Sequence, residues 1–242
     1  MSPANFTTTI TKAHEVKPGQ PSNPIAITVN DRAATREAII KMIRSMNTTF
    51  IERSFWGAVK GKSDMVKDWD YTMIALHHAG RSHNCTPGAE QMQDIQKGHL
   101  SQKYDDIGYH YGIDCTGQIF EGRDIRLQGS SVLKFNNGLI GIVLLENLTT
   151  PDEGGDWVAK GRIVLDSIGY STTNVIPAAQ IHSLMHLITS LKSVFVIKHF
   201  GGHKEYPGQA SEGKICPGNI GMELVRNLRT QTQLLPPPAS QA

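Results

Sequence analysis

The chain has 242 residues, 39% of them apolar, with 23 glycines, which suits one α/β domain carrying an appendage. Lys and Arg number 24 against 22 Asp and Glu, so the net charge is only +2. That balance gives no argument for nucleic acid or an acidic membrane surface as partner. With no run of about 18 apolar residues, no membrane span is expected either.

Taken in chain order, residues 1 to 30 are rich in Ser, Thr, Asn and Pro without helical periodicity, and are expected to form an extended arm. The opening Met1 to Thr7 shows no basic stretch followed by an apolar core, so no Sec signal is expected. Asp31 is placed to cap a helix over Arg32 to Met46, whose Ile39, Ile40, Ile43 and Met46 form one apolar stripe for docking on the main domain. Thr72 to His77 is a short β-rich run, and Ala89 to Leu100 a helix with Met92, Ile95 and Leu100 on one side. Ile107 to Asp114 and Gln118 to Glu121, joined by Cys115-Thr116-Gly117, form a predicted β-hairpin. Leu139 to Leu145 is continuously apolar, as a strand buried on both faces would be. Residues 178 to 192 place Ile181, Leu184, Leu187, Ile188 and Leu191 on a helical face. Val194 to Ile197 is the next predicted strand and Gly221 to Arg229 the last helix, before a tail at Pro236-Pro237-Pro238. Strands and helices alternate, so the expected fold is a central β-sheet covered by helices.

The chemistry gathers at one irregular loop. Gly202-His203-Lys204-Glu205-Tyr206-Pro207 runs on through Gly208 and Gly213 to Lys214-Ile215-Cys216-Pro217-Gly218, offering an imidazole, an ammonium and a thiol. Upstream, Leu76-His77-His78 ends an apolar run, where a histidine is well placed to meet that loop. Two His and one Cys make three zinc ligands and leave a fourth position for water. The residues alone leave open which of His77 and His78, and which of His199 and His203, would serve, although strand geometry allows only one of the first pair to face a site.

Six segments in order resemble the zinc amidase family that includes peptidoglycan recognition proteins, phage lysozyme-type amidases and bacterial N-acetylmuramoyl-L-alanine amidases. They are Arg53-Ser54-Phe55-Trp56-Gly57-Ala58, Ala75-Leu76-His77-His78-Ala79, Asp106-Ile107-Gly108-Tyr109-His110-Tyr111, Gly117-Gln118-Ile119-Phe120-Glu121-Gly122-Arg123, Ile140-Gly141-Ile142, and Gly202-His203-Lys204-Glu205 with Lys214-Ile215-Cys216-Pro217. The resemblance covers about Phe50 to Arg229. It implies an α/β fold with a central mixed β-sheet flanked by helices, here carrying an added N-terminal arm and helix (1–49), an amidase domain (50–232) and a Pro-rich tail (233–242).

The same resemblance assigns Zn2+ to His77, His203 and Cys216, and catalytic roles to Tyr109 and Lys214. Arg123, Asn137 and His78 are the expected substrate-groove residues. The implied reaction is hydrolysis of the amide between N-acetylmuramic acid and L-alanine of the peptidoglycan stem, on wall polymer or muropeptides. Binding-only relatives tend to lose the Cys or the Tyr, and this chain keeps both. A non-catalytic muropeptide-binding module is the alternative. A secreted antibacterial effector with an immunity protein as partner, or a phage endolysin, are further settings, with action in the periplasm or on the wall after lysis or specialised secretion. Two departures stand out. Val143 occupies the position where cytosolic recycling relatives carry a Glu, and Gln128-Gly129-Ser130-Ser131 lacks a His that many relatives have there. With Cys216 assigned to metal, Cys85 and Cys115 remain as a possible disulfide. Recognition proteins often carry one after the first zinc His, yet no cysteine lies a few residues from Cys85, and with no Sec signal visible two free thiols are expected ahead of a bridge.

Overall fold

The computed structural model describes residues 8–15, 23–29, 32–155, 157–167 and 174–240. Six strands form one mixed sheet: β3 (Phe50–Ile51), β4 (Met73–His78), β5 (Tyr111–Ile113), β6 (Ile119–Glu121), β7 (Leu139–Leu144) and β8 (His199–Gly202), in the order β3-β6-β5-β7-β4-β8. β5, β7, β4 and β8 run parallel, while β6 is antiparallel to β5 and carries β3 alongside it. Every residue of β4 and β7 is buried, as the apolar runs require of strands covered on both faces. Within the expected arm, β1 (Thr8–Glu15) and β2 (Asn23–Val29) pair antiparallel as a separate two-stranded sheet. Asp31, the expected helix cap, lies outside the described residues.

Helix α1 (Arg32–Ser45) is not an appendage in packing terms. Ile39, Ile40 and Ile43 are buried in one cluster with Leu184, Leu187, Ile188 and Leu191 of α4 (Ala178–Val194) and with Ile74, Leu76 and Ile142 of the sheet. α5 (Gly218–Thr232) adds Met222, Leu224, Val225 and Leu228 to that cluster. The opposite face is covered by α2 (Gly88–Ser101), where Met92 and Ile95 meet Trp56, Ile107, Phe120 and Val143. Sequence reasoning missed α3 (Trp157–Ser167).

Three expectations need correction. The strand expected at Val194 to Ile197 begins instead at His199, because α4 runs through Val194 and the pairing partner Met73 stands opposite His199. The chain between is extended but unpaired until the Lys198 and His199 amides donate to Thr72 O. Cys85 and Cys115 are joined by a disulfide with a Cα–Cα distance of 5.5 Å. The two are 30 residues apart in sequence, and only the β5–β7–β4 pairing brings the β5–β6 turn beside the loop after β4. The tail also docks: the Leu235 amide donates to Lys198 O and the Phe200 amide to Leu235 O, so the chain covers the outer edge of β8.

Buried histidines brace this frame in the neutral form. His110 Nδ1 accepts the Gly141 amide at 3.1 Å and its Nε2 donates to Leu127 O at 3.0 Å, which leaves no site for a second proton. Burial pushes its pKa down to about 4. His99 Nδ1 likewise accepts the Gly108 amide, and burial lowers its pKa to about 4. An unfolded imidazole titrates near 6.5, so between about pH 6.5 and 4 the unfolded chain holds protons that the folded chain does not. Stability therefore falls as pH falls through that window. For His110 alone the loss from pH 7 to pH 5 is about 2 kcal/mol, read by urea unfolding at the two pH values; equal stability at both would contradict it. Ile43→Ala, at a fully buried position of α1, is expected to cost about 2–5 kcal/mol in the same assay, whereas a loosely attached helix would show almost none.

Candidate functional site

Alternation along β4 sorts its side chains. Ile74 and Leu76 face the α1–α4–α5 core, while Met73 and Ala75 belong to a cluster with Leu139 and Tyr206 on the other face. His77 continues the second series and His78 the first. Because Leu76 pairs with Gly202, the residues that follow, His77 and His203, leave their parallel strands side by side. Their ring centroids are 4.6 Å apart. His203 opens a short 3-10 turn, held by Glu205, whose Oε2 accepts the Gly202 amide and whose carboxylate pairs with Arg229 at 3.0 Å.

Cys216 is delivered by the returning loop, with the Lys204 amide donating to Cys216 O at 2.8 Å. This approach needs a glycine at 202. A Cβ there would collide with Met222 Sδ and stand 2.7 Å from Pro217 Cδ. The ligand atoms of His77, His203 and Cys216 all lie within 4.8 Å of one another.

His77 is fully buried while His203 and Cys216 are half-buried, and all three are held toward their neutral forms. Burial drives the His77 imidazole well below its ordinary value, with His203 adding to the effect. Burial also lowers His203, opposed by its bond to Gln209 and assisted by the Lys214 charge. The Cys216 thiol is pushed up to about 12 by burial, against the opposing pull of the His78 backbone amide, Lys204 and Lys214. His77 Nε2 is buried without a hydrogen-bond partner among the described residues.

Two imidazoles and a thiol fit a zinc-type cation by donor chemistry, and one distance supports the fit. A sulfur at about 2.3 Å and a nitrogen at about 2.0 Å from one tetrahedral ion stand about 3.6 Å apart. Cys216 Sγ and His77 Nδ1 are 3.6 Å apart. A cation there would reverse the thiol's preference for its proton.

Tyr109 is brought to the same place, its ring 4.8 Å from that of His77 and also beside His99. Burial raises its phenol above the ordinary value, so it remains a proton donor at neutral pH. Gly141 leaves space for Ser131 beside this ring: a Cβ there would meet Ser131 Oγ at 2.6 Å but only touch Tyr109 Cδ1, at 3.5 Å. Val143 is the β7 residue opposite His77, so the position where some relatives would offer a carboxylate is apolar. A cavity of about 220 Å³ opens beside Tyr109 against His99, Gln102 and Asp94 of α2. Lys214 is exposed in the turn before Cys216, close enough for its charge to act on both His203 and Cys216.

The three residues expected in a substrate groove do not join this group. His78 is buried, its Nδ1 accepts the Leu148 amide at 3.1 Å, and burial lowers its pKa to about 4. Arg123 is buried and spends its guanidinium on the carbonyls of Ile107, Gln128 and Asp106, so it braces loops instead of facing a ligand. Asn137 is exposed, two residues before Leu139, which pairs with Met73. That is the end of β4 about 13 Å from His77. His199 is excluded as a ligand for the same reason: it starts β8 opposite Met73, with Nδ1 2.6 Å from Pro236 O.

Sequence reasoning missed Gln209. This residue is 2% exposed; its Oε1 is 3.0 Å from His203 Nε2 and its Nε2 donates to Leu133 O at 3.0 Å. The second bond fixes the amide orientation, so His203 Nε2 is the protonated nitrogen and Nδ1 keeps its lone pair. Only its place inside the extended spacer between His203 and Cys216 could have drawn attention to it.

Comparison with known proteins identifies the family and the fold. The family model described as N-acetylmuramoyl-L-alanine amidase matches residues 67–219. Peptidoglycan-recognition protein LB of Drosophila melanogaster is 33% identical over 111 residues, 44% of this chain and 44% of that protein. Peptidoglycan-recognition protein SC2 of the same species is 32% identical over 146 residues, 54% of this chain and 78% of that protein. The matched stretch thus spans less than half of the first relative and about three quarters of the second. Among solved structures, bumblebee PGRP-SA superposes with a TM-score of 0.60 at 21% identity, over 79% of this chain and 99% of that one. The endolysin amidase LysCS of Clostridium intestinale gives 0.55 at 20% identity, over 77% and 97%. The chain belongs to the N-acetylmuramoyl-L-alanine amidase family, on a sheet that sets two histidines and a cysteine at one point.

Proposed function

We propose that this protein is a zinc-dependent peptidoglycan amidase that hydrolyses the bond between N-acetylmuramic acid and the L-alanine of the stem peptide. The observation that carries the reading is the convergence of His77, His203 and Cys216, with Tyr109 against His77. Zinc held by these three would supply a Lewis acid for the scissile carbonyl and lower the pKa of a water at its remaining position to about 7. The chain's own groups do the rest. Tyr109, kept protonated by burial, orients the attacking water and returns a proton toward the departing amine. Lys214 offers an ammonium on the solvent side of the site, where the tetrahedral intermediate develops its negative oxygen. Gln209 holds the His203 ring so that one nitrogen remains free to bind metal.

A binding-only reading is favoured by the number of recognition proteins among the relatives, and solved structures hold PGRP-LE and the PGRP-LCa/LCx ectodomains with the muropeptide tracheal cytotoxin. One digest separates the two readings. Purified protein incubated with sacculi is expected to release new L-alanine N-termini, seen by mass spectrometry, and to lose that activity on chelation and regain it with zinc. Muropeptides retained intact would favour the recognition module. Cys216→Ser is expected to lose both metal and activity. Lys214→Ala is expected to keep the metal and lose about 10²–10³ in rate. Gln209→Ala is expected to weaken metal binding about 10–100-fold in chelator competition, with Gln209→Glu restoring an acceptor for His203. Unchanged affinity in Gln209→Ala would remove it from the metal support.

A further inference from the structure

A second group of donor atoms lies apart from His77. Cys85 Sγ, Cys115 Sγ and a carboxylate oxygen of Glu146 are all within 4.8 Å of one another. Glu146 is 0% exposed, and its Oε1 has no hydrogen-bond partner among the described residues. Its Oε2 lies 3.9 Å from Cys85 Sγ. A buried carboxylate oxygen without a donor is costly, and nothing in the amidase reading uses this one. The neighbouring acid of the β5–β6 turn is already committed, since Asp114 Oδ1 accepts the amides of Thr116 and Gln118 and the Thr116 hydroxyl. Both sulfurs line an open cavity of about 550 Å³, so a reductant and an ion can reach them.

We propose that Cys85, Cys115 and Glu146 form a redox-conditional cation site. With the disulfide reduced, two thiolates and the carboxylate bind a thiophilic divalent ion such as Zn2+. The ion then ties the loop after β4 to the β5–β6 turn in place of the S–S bond. Reduction by a phosphine balances as one disulfide plus phosphine plus water, giving two thiols and the phosphine oxide. The water oxygen goes to phosphorus and its two hydrogens to the sulfurs. Ion binding then displaces both thiol protons, and the carboxyl proton where present, into solvent. Two sulfurs and one oxygen leave a fourth tetrahedral position for water. The loop so anchored begins directly after His77-His78, with the Ala79 amide donating to Glu146 O at 3.1 Å. The cross-link would therefore persist beside the amidase site in reducing and oxidising surroundings alike.

Cobalt(II) titration of the metal-stripped full chain tests this, since thiolate charge-transfer bands count sulfur-bound ions. The phosphine is removed before cobalt is added. Reduced protein is expected to bind one equivalent more than oxidised protein. That difference isolates Cys85 and Cys115, because Cys216 is a free thiol in both states. It holds whether or not the His77 group binds metal. Cys85→Ser/Cys115→Ser is expected to lose the extra equivalent while keeping the rest. The isosteric Glu146→Gln, checked for folding by circular dichroism, is expected to weaken it about tenfold or more. No difference between reduced and oxidised protein, an extra equivalent surviving in the double serine variant, or equal affinity in Glu146→Gln would each overturn the site.

Discussion

The functional architecture depends on the parallel pairing of β4 with β8 in one register. Leu76 opposite Gly202 is what makes His77 and His203 leave the sheet together. A slip of one residue would turn the His77 series toward the helix-covered core and bring His78 to the site face. The register is secured by burial. Ile74, Leu76 and Phe200 belong to the main core and cannot change faces without exposing it. Packing forces that have nothing to do with chemistry therefore fix the separation of the first two candidate ligands. The third arrives only because Gly202 lets Pro217 and Met222 close on the strand end.

The histidines divide into two classes by their hydrogen bonds. His78, His99 and His110 each accept a backbone amide at Nδ1, and burial holds each toward the neutral form. His77 is fully buried, its Nδ1 faces the Cys216 thiol instead of an amide, and its Nε2 has no partner among the described residues. Burying polar groups with no partner costs free energy that a fold bears only where something else repays it. The amide-bonded histidines are part of the frame. His77, whose Nδ1 faces the Cys216 thiol and whose ring lies beside His203, marks the candidate site.

Much of this was legible in the chain. The helices expected from apolar spacing at 89–100 and 178–192 lie within 88–101 and 178–194, the last helix placed at 221–229 lies within 218–232, and the buried strand at 139–144 followed from an unbroken apolar run. His77, His203 and Cys216 followed from motif order. What escaped notice depended on contacts between distant residues. Cys85 and Cys115 were expected as thiols ahead of a bridge because their neighbourhood is created by two strand pairings, not by spacing. Arg123 was mistaken for a groove residue because a sequence does not reveal when a cation is spent on three carbonyls. Gln209 was passed over because one amide in a polar loop carries no periodicity. The tail looked like an ending, although its backbone completes the edge of β8.

The segments around the His77 group are each tied down by hydrogen bonds, ion pairs or the disulfide. The loop after β4 is joined to the β5–β6 turn by the disulfide. The segment after β8 is held by Glu205 to Arg229, by Gln209 to Leu133 O, and by Lys204 to Glu153 at 3.0 Å. The stretch leading to Tyr109 is clasped by Arg123 through the carbonyls of Asp106 and Ile107. Loops anchored in this way lose little further freedom when a ligand binds, and they hold reacting groups near working geometry beforehand. Lys214 stands apart, exposed on the turn entering Cys216. In the proposed amidase reading, an exposed cation at that point would stand over the anchored group where negative charge develops. That reading would assign positioning to the anchored residues and leave charge stabilisation to the exposed Lys214.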